Sequence, residues 1–460
     1  MPYLFLKIQC VQRPFDILNM KKLSVGIHTY KEIVYNSQSY QFTFMERVIT
    51  KAPTHCKFEY MSKPLENIRI VDIGRYVAGP YCATLLGALG ADVIRVERPD
   101  GGEDRFISPL SFDDSGQPGE GGLIYQTGWG KKSLSLNLSD ESGREILGKL
   151  VATADIVVAN LPPAALKRLG LDWETLYQSH PEVILVTQTG FGDIGPDSTK
   201  GGFDGIGQAM SGAMYLTGTP GNPAKAGAPY VDYATALMSA FATMAALMER
   251  EKTGQGQHVQ TSLLNTALAV MNAHLIEQGV TGINRVGTGN RVQTSAPSDV
   301  FATSDGHILV HTVGNNLFKR WAETVGKSEL VEDDRFQSDQ HRGDHNDVLC
   351  DIMATWCAQR TTSEALSMLQ EKGVPSGPVL SLQQALDNPQ VDAMSYFTSV
   401  AVNGMEGTFA PVLGLPAQFS SLTPNAPTAP PEIGGHNAEI LSELGLSEAQ
   451  IEELEAQGII

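Results

Sequence analysis

Residues 68–97, IRIVDIGRYVAGPYCATLLGALGADVIRVE, hold an apolar run from Ile68 to Ile73, a helical run from Pro80 to Leu89 and a second apolar run from Val93 to Val96. Strand, helix, strand is the economical reading, because runs of four to six branched residues bounded by glycine suit buried strands. The pattern continues with a helix from about Asp140 to Ala154, a strand Ile156 to Ala159, a helix near Ala164 to Leu169 and a strand Val183 to Thr187. Such alternation predicts an α/β fold: an open, mostly parallel sheet with helices on both faces.

Further along, Asp299-Val-Phe-Ala-Thr-Ser-Asp-Gly-His-Ile-Leu-Val-His reads as two strands joined by the turn Asp305-Gly306, with helical stretches to about Leu386. A Pro-rich passage, Pro411 to Pro431, precedes a last amphipathic helix opened by Ser447. The expected organisation is a large α/β domain over 61–285, a smaller α+β domain over 286–390, and a return segment, 391–460, that completes the large domain.

Residues 1–60 differ in charge. They carry 8 Lys+Arg against 4 Asp+Glu, whereas the chain as a whole has a net charge of -18. Met61-Ser-Lys-Pro-Leu-Glu-Asn-Ile reads like an ordinary protein start. The first 60 residues are therefore expected to be an unstructured or poorly packed extension added by gene-model error. A mitochondrial presequence is the competing reading, but the segment is rich in Tyr, Gln and Lys rather than Arg and Ser.

The acidic balance argues against a nucleic-acid binder, which needs a basic surface to displace counterions. No run reaches the roughly 20 uninterrupted apolar residues of a membrane span. The nearest, Ala234 to Met248, is broken by Thr235, Ser239 and Thr243 and is expected to be a buried helix. Five cysteines, an odd number without paired metal-ligand spacing, point to reduced thiols and the cytoplasm. His341 and His345 lack the intervening Glu of a zinc protease helix, and no metal site is expected.

The first strand runs into Asp72-Ile-Gly-Arg-Tyr-Val-Ala-Gly-Pro, where Gly74 and Gly79 permit a tight turn and the following helix offers free N–H groups to an anion. The spacing is not that of the dinucleotide fingerprint, although Glu97 imitates its ribose-binding acid. Arg98, Lys131, Lys132 and Arg168 stand at strand or helix ends, where together they could pair with phosphates. Gly227-Ala-Pro-Tyr-Val-Asp232 then places a carboxylate at the mouth of an apolar helix, where the positive helix end would keep it ionised. On the residues alone, a helix-capping aspartate and a nucleophile both stay open. A carboxylate nucleophile suits acyl transfer between acids, since it attacks a thioester to give a mixed anhydride.

Taken together, Ala78-Gly-Pro, Gly90-Ala-Asp-Val-Ile-Arg-Val-Glu-Arg-Pro, Lys131-Lys-Ser-Leu-Ser-Leu-Asn, Asn160-Leu-Pro-Pro, Gly190-Phe-Gly-Asp-Ile-Gly-Pro and Gly202-Phe-Asp-Gly-Ile-Gly-Gln-Ala-Met-Ser-Gly resemble the class III CoA-transferase family from about Leu65 to Ile460. The resemblance implies that Asp232 is the catalytic aspartate and that Val77, Ala78, Arg98, Leu136, Asn160, Leu161 and Arg168 line the coenzyme A site. It also implies an interlocked homodimer that acts on an acyl-CoA and a carboxylic acid. CoA would be a substrate carrier, with no tightly bound cofactor and neither nucleic acid nor membrane as partner. The donor is expected to be a succinyl-CoA-type thioester, with Arg285 or Arg291 meeting a distal carboxylate and Asp204 shaping the acyl pocket. The family's racemase branch has a His where this chain has Phe203, so one base of a proton-transfer pair is missing. Its formyl-CoA branch has four consecutive glycines where this chain has Gly287-Thr-Gly-Asn-Arg, so oxalate is not the expected acceptor. A racemase-like isomerase and a catalytically idle acyl-CoA-binding protein are the alternatives.

Overall fold

The structure, a computed structural model, describes residues 63–113 and 115–460, together with strands Ile27–Tyr35 and Phe42–Thr50, which pair antiparallel. The chain divides into two compact units, 1–62 and 63–460. Apart from those two strands, the segment expected to be an unstructured extension lies outside the described residues.

The second unit is organised by six parallel strands: β1 (Arg69–Asp72), β2 (Asp92–Glu97), β3 (Lys132–Ser135), β4 (Ile156–Ala159), β5 (Ile184–Thr189) and β6 (His258–Ser262). Their spatial order is β6-β5-β4-β1-β2-β3. The connections include α1 (Ala78–Ala88), α2 (Glu141–Val151, capped by Asp140) and α3 (Pro163–Arg168). Later come α4 (Asp204–Met210), α5 (Tyr230–Thr253) and α6 (Leu263–Thr281).

Alternation along the strands sorts the core into two layers. Val71, Ile94, Val96, Val157 and Leu185 face α2 and the C-terminal residues Ile440, Leu441 and Ile451. Ile70, Val93, Ile156, Val158, Ile184 and Val186 face α1 and α5. The sheet is therefore covered on both sides, as the run-and-gap pattern of the sequence requires. A further core gathers Phe301, Ile308, Val310, Phe318 and Trp321 around a three-stranded antiparallel sheet, Asp299–Ala302, His307–Val310 and Ser376–Pro378. The chain then returns to the large sheet, where Asn137 N–H donates to the Ile459 carbonyl and Asn437 Oδ1 accepts from Ser135 N–H.

The expectation for Ala234 to Met248 needs correcting. One face of α5, with Val231, Thr235, Ala236, Ser239, Thr243, Ala246 and Leu247, is buried. The other exposes Leu237, Met238, Met248 and Phe241, the last at 72%. By length and composition α5 could cross a membrane, although its inner face is part of the sheet's core.

Candidate functional site

The C-terminal ends of β1, β4 and β5 meet at the turn from β1 into α1, the place where open α/β sheets take their ligands. Several side chains fix that turn. Asp72 Oδ1 accepts from Gly74 N–H at 2.9 Å. Asn160, just past β4, grips Arg75 twice: Oδ1 accepts from its N–H at 2.7 Å, and Nδ2 donates to its carbonyl at 2.6 Å. Asp104 Oδ2 accepts from Tyr76 N–H at 3.1 Å, which holds Tyr76 at φ 63°, a left-handed conformation that a bulky side chain adopts only when its surroundings enforce it. A Cβ on Gly79 would stand 3.2 Å from Gly74 Cα, so the close approach of strand end and helix start needs glycine there.

Two cavities open beside this turn. The first, of about 490 Å³, is lined by Arg75, Arg95, Arg98, Leu136, Leu161 and Arg168, among others. The second, of about 300 Å³, is lined by Val77, Ala78, Asn160, Phe203 and Asp232, and shares Arg75 and Leu161 with the first. The residues singled out in the sequence are shared between the two cavities. Arg98, Leu136 and Arg168 belong to the arginine-rich cavity, Val77, Ala78, Asn160 and Asp232 to the other, and Leu161 to both.

The arginines of the first cavity differ in what they already hold. Exposed Arg98 pairs with Asp100 and, at 3.1 Å, with Glu103, which also holds Arg75 at 3.0 Å. Arg95 is buried, bonded to Asp104 at 2.9 Å and Glu97 at 3.3 Å, yet its Nη1 has no partner among the described residues. Glu97 does not stand free for a ribose. Arg105 takes it with two bonds of 2.7 Å, and Ser133 Oγ donates to it at 2.7 Å. Burial works to raise its pKa, but Arg105 and Arg95 hold it below the ordinary carboxylate value.

Two basic residues expected at phosphates are engaged elsewhere. Lys131 is buried with its ammonium 2.7 Å from both Asp72 Oδ2 and the Pro80 carbonyl, and burial lowers its pKa. Lys132, the next residue, points the other way and pairs with Glu439 at 2.9 Å and Asp92 at 3.3 Å. Strand alternation separates the two lysines, and neither lines a cavity described above. Arg285 is held by Glu277 at 2.7 Å and Arg291 by Asp299 at 3.1 Å, so within the chain neither lines the Asp232 cavity. Its cations are Arg75 and Lys200.

Asp232 lies in the first turn of α5, whose N-cap is Pro229 with no side-chain cap bond. The capping work belongs to another residue. Asp204, 6% exposed, accepts through Oδ1 from the N–H groups of Val231 at 2.8 Å and Asp232 at 3.4 Å, while Oδ2 accepts from Gln208 Nε2 at 2.6 Å. The Asp232 carboxylate itself accepts no hydrogen bond among the described residues. Burial, and then the charge of Asp204, push its pKa up to about 7. The expectation that the helix end keeps Asp232 ionised thus gives way, because Asp204 has taken the N–H groups that would have favoured the anion. Phe203 packs edge-on against Tyr76, ring centroids 5.3 Å apart, and lines the Asp232 cavity. Among the described residues no group of three or more His, Cys, Asp or Glu is arranged to hold a metal.

A doubly covered parallel sheet thus carries an arginine-lined cavity next to a pocket that holds a carboxylate. The chain belongs to CoA-transferase family III, which it matches over residues 65–437, and it is a CoA-transferase. It is 32% identical to the succinyl-CoA–D-citramalate CoA-transferase of Chloroflexus aurantiacus over 414 residues, 86% of this chain and 98% of that protein. It is also 32% identical to the succinate–glutarate CoA-transferase of Agrobacterium fabrum over 384 residues, 83% and 96% of the two chains. In structure it is similar to a CAIB/BAIF family protein from Brucella suis, with a TM-score of 0.73 and 31% identity over 83% of this chain and 99% of that one.

Proposed function

We propose that the chain transfers CoA from succinyl-CoA to a second dicarboxylic acid, with Asp232 as the covalent nucleophile. The observation that carries this reading is an unbonded carboxylate facing a cavity that shares Arg75 and Leu161 with an arginine-lined one. Asp232 attacks the thioester carbonyl and the C–S bond breaks, leaving an aspartyl–succinyl anhydride and CoA thiolate. The thiolate attacks the Asp232 carbonyl and expels succinate, giving an aspartyl–CoA thioester. The acceptor carboxylate then attacks that thioester and releases the thiolate. Attack of the thiolate on the acceptor's carbonyl yields acceptor-CoA and frees Asp232.

In this reading the phosphates of CoA lie against Arg98 and Arg168, and Asp100 and Glu103, the exposed partners of Arg98, give way at little cost because surface ion pairs are weak. Arg75 and Lys200 are the cations available to a distal carboxylate, which favours dicarboxylates. The relatives' names, with succinate, D-citramalate and glutarate, support that class. The exposed apolar faces of α5 and α6, including Phe241 and Val280, are the surfaces a second copy would cover. The test is incubation with succinyl-CoA and a panel of dicarboxylates, followed by hydroxylamine trapping and peptide mapping. CoA transfer with hydroxamate at Asp232, both lost in Asp232→Asn, is expected. Transfer that survives Asp232→Asn, or an adduct elsewhere, overturns the mechanism.

A further inference from the structure

Gln188 is the next-to-last residue of β5, opposite Thr261 of β6. Strand alternation puts it on the same face as Ile184 and Val186, the face covered by α1 and α5. It is 3% exposed and lines the Asp232 cavity, yet neither Nε2 nor Oε1 has a hydrogen-bond partner among the described residues. A Cβ at residue 79 would lie 3.4 Å from its Oε1, so its carboxamide sits under the first turn of α1. Nearby Gln208 shows how the fold treats a buried amide that serves structure alone: its Nε2 donates to Asp204, and its Oε1 accepts from Ala226 N–H at 2.9 Å. Leaving both ends of such a group unpaired costs folding free energy, and an unmatched buried polar group that lines a cavity calls for a physical account, a catalytic role among them.

We infer that Gln188 is a catalytic residue whose Nε2 donates a hydrogen bond to the oxygen of the acyl carbonyl under attack at Asp232, the atom that becomes the oxyanion. This role rests on the nucleophile reading of Asp232. It involves no proton transfer: the amide donates before, during and after the tetrahedral stage, and its bond is strongest when the oxygen carries charge. β5 is a central strand bonded on both sides, so the donor is held rigidly and needs no rearrangement as charge develops.

The test compares wild type with Gln188→Leu and Gln188→Glu in the full chain by succinyl-CoA turnover, hydroxylamine trapping and thermal melting. Loss of a single oxyanion donor lowers kcat by about 10²-fold, and the KM for succinyl-CoA is expected to stay within about threefold. Leucine also removes two unpaired polar atoms from the interior, so Gln188→Leu is expected to melt at the wild-type temperature or slightly above it. Glutamate keeps the shape but supplies no donor when ionised, so on the alkaline side of its titration it is expected to be as slow as leucine. A structural role would instead lower melting temperature and activity together, and that outcome overturns the inference. A Gln188→Leu enzyme with kcat near wild type, while wild type is still trapped at Asp232, overturns the Gln188 role alone. A wild type that transfers no CoA overturns the nucleophile reading and this role with it.

Discussion

The environment of Asp232 makes a quantitative statement about pH. With its pKa pushed up to about 7 by burial and by Asp204, roughly half the carboxylate is ionised at pH 7, about 9% at pH 6 and about 1% at pH 5. If the anion is the nucleophile, kcat/KM falls nearly tenfold per unit on the acid side, with a midpoint near 7. Asp204→Asn is the informative perturbation. Asparagine keeps an acceptor for the Val231 and Asp232 N–H groups but removes the neighbouring charge, while burial is unchanged. The midpoint should therefore fall without reaching the ordinary carboxylate value, by about one unit, the scale of a nearby like charge. At pH 6 the variant would be about fivefold more active relative to its own plateau, and at pH 8 the two enzymes would differ little in that ratio. One cost is built in. Gln208 Nε2, now bonded to Asp204 Oδ2, would face an amide N–H₂, a loss of about 1–3 kcal/mol that thermal melting reads separately. The assay is kcat/KM for succinyl-CoA between pH 5 and 9 at constant ionic strength. An acid limb centred near pH 4 in wild type, or one that Asp204→Asn leaves in place, refutes the reasoning.

Three further outcomes are expected. Asn160→Ala removes both bonds to the Arg75 backbone, worth about 1 kcal/mol each; it should lower the melting temperature and cut kcat/KM more than tenfold by releasing the turn that carries Val77 and Ala78, and unchanged kinetics would count against that role. Arg168→Ala should raise the KM for acyl-CoA roughly tenfold with kcat nearly constant, and the gap should shrink at high salt because exposed charge contacts are screened; steady-state kinetics at two ionic strengths checks this. Phe241→Asp places a charge on the exposed apolar face of α5 and should convert a dimer to monomers by light scattering, whereas a monomeric wild type would dismiss the dimer.

Much of the sheet was legible because its strands are buried on both faces and so read as unbroken apolar runs. Ile156–Ala159 is a strand with the boundaries expected of it, entirely buried. The reading failed where polarity returned. β5 was expected to stop at Thr187, but it continues through Gln188 and Thr189 because β6 lies alongside and pairs with them. β6 itself, His258-Val-Gln-Thr-Ser, is too polar to announce a strand. The site divides in the same way. Asp232, Asn160 and Arg168 were singled out through motifs, and each lines one of the two adjoining cavities. Three features were set by contacts distant in sequence: the grip of Asn160 on Arg75, the paired state of Lys131, and the capping of α5 by an aspartate 28 residues before Asp232. Gln188 had one local signal, an amide at the end of an apolar strand, but its lack of partners is visible only in three dimensions.

The exchange of roles between the two aspartates bears on which covalent species should accumulate. A helix start stabilises one carboxylate well, and here that carboxylate is Asp204. Asp232, left without donors, is the more basic of the two groups joined in an aspartyl–succinyl anhydride, since an ordinary carboxylic acid in water has a pKa near 4. The less basic carboxylate is the better leaving group, so CoA thiolate attacking the anhydride should expel succinate from Asp232 more readily than it expels Asp232 from succinate. On the proposed chemistry, the environment that raises the nucleophile's pKa also drives the anhydride forward to the aspartyl–CoA thioester. It slows the last step by the same leaving-group argument, because there Asp232 must depart from the acceptor. The enzyme should therefore rest during turnover as the Asp232 thioester, the species that hydroxylamine intercepts. Asp204→Asn, by making Asp232 less basic, should reduce the fraction trapped in that form.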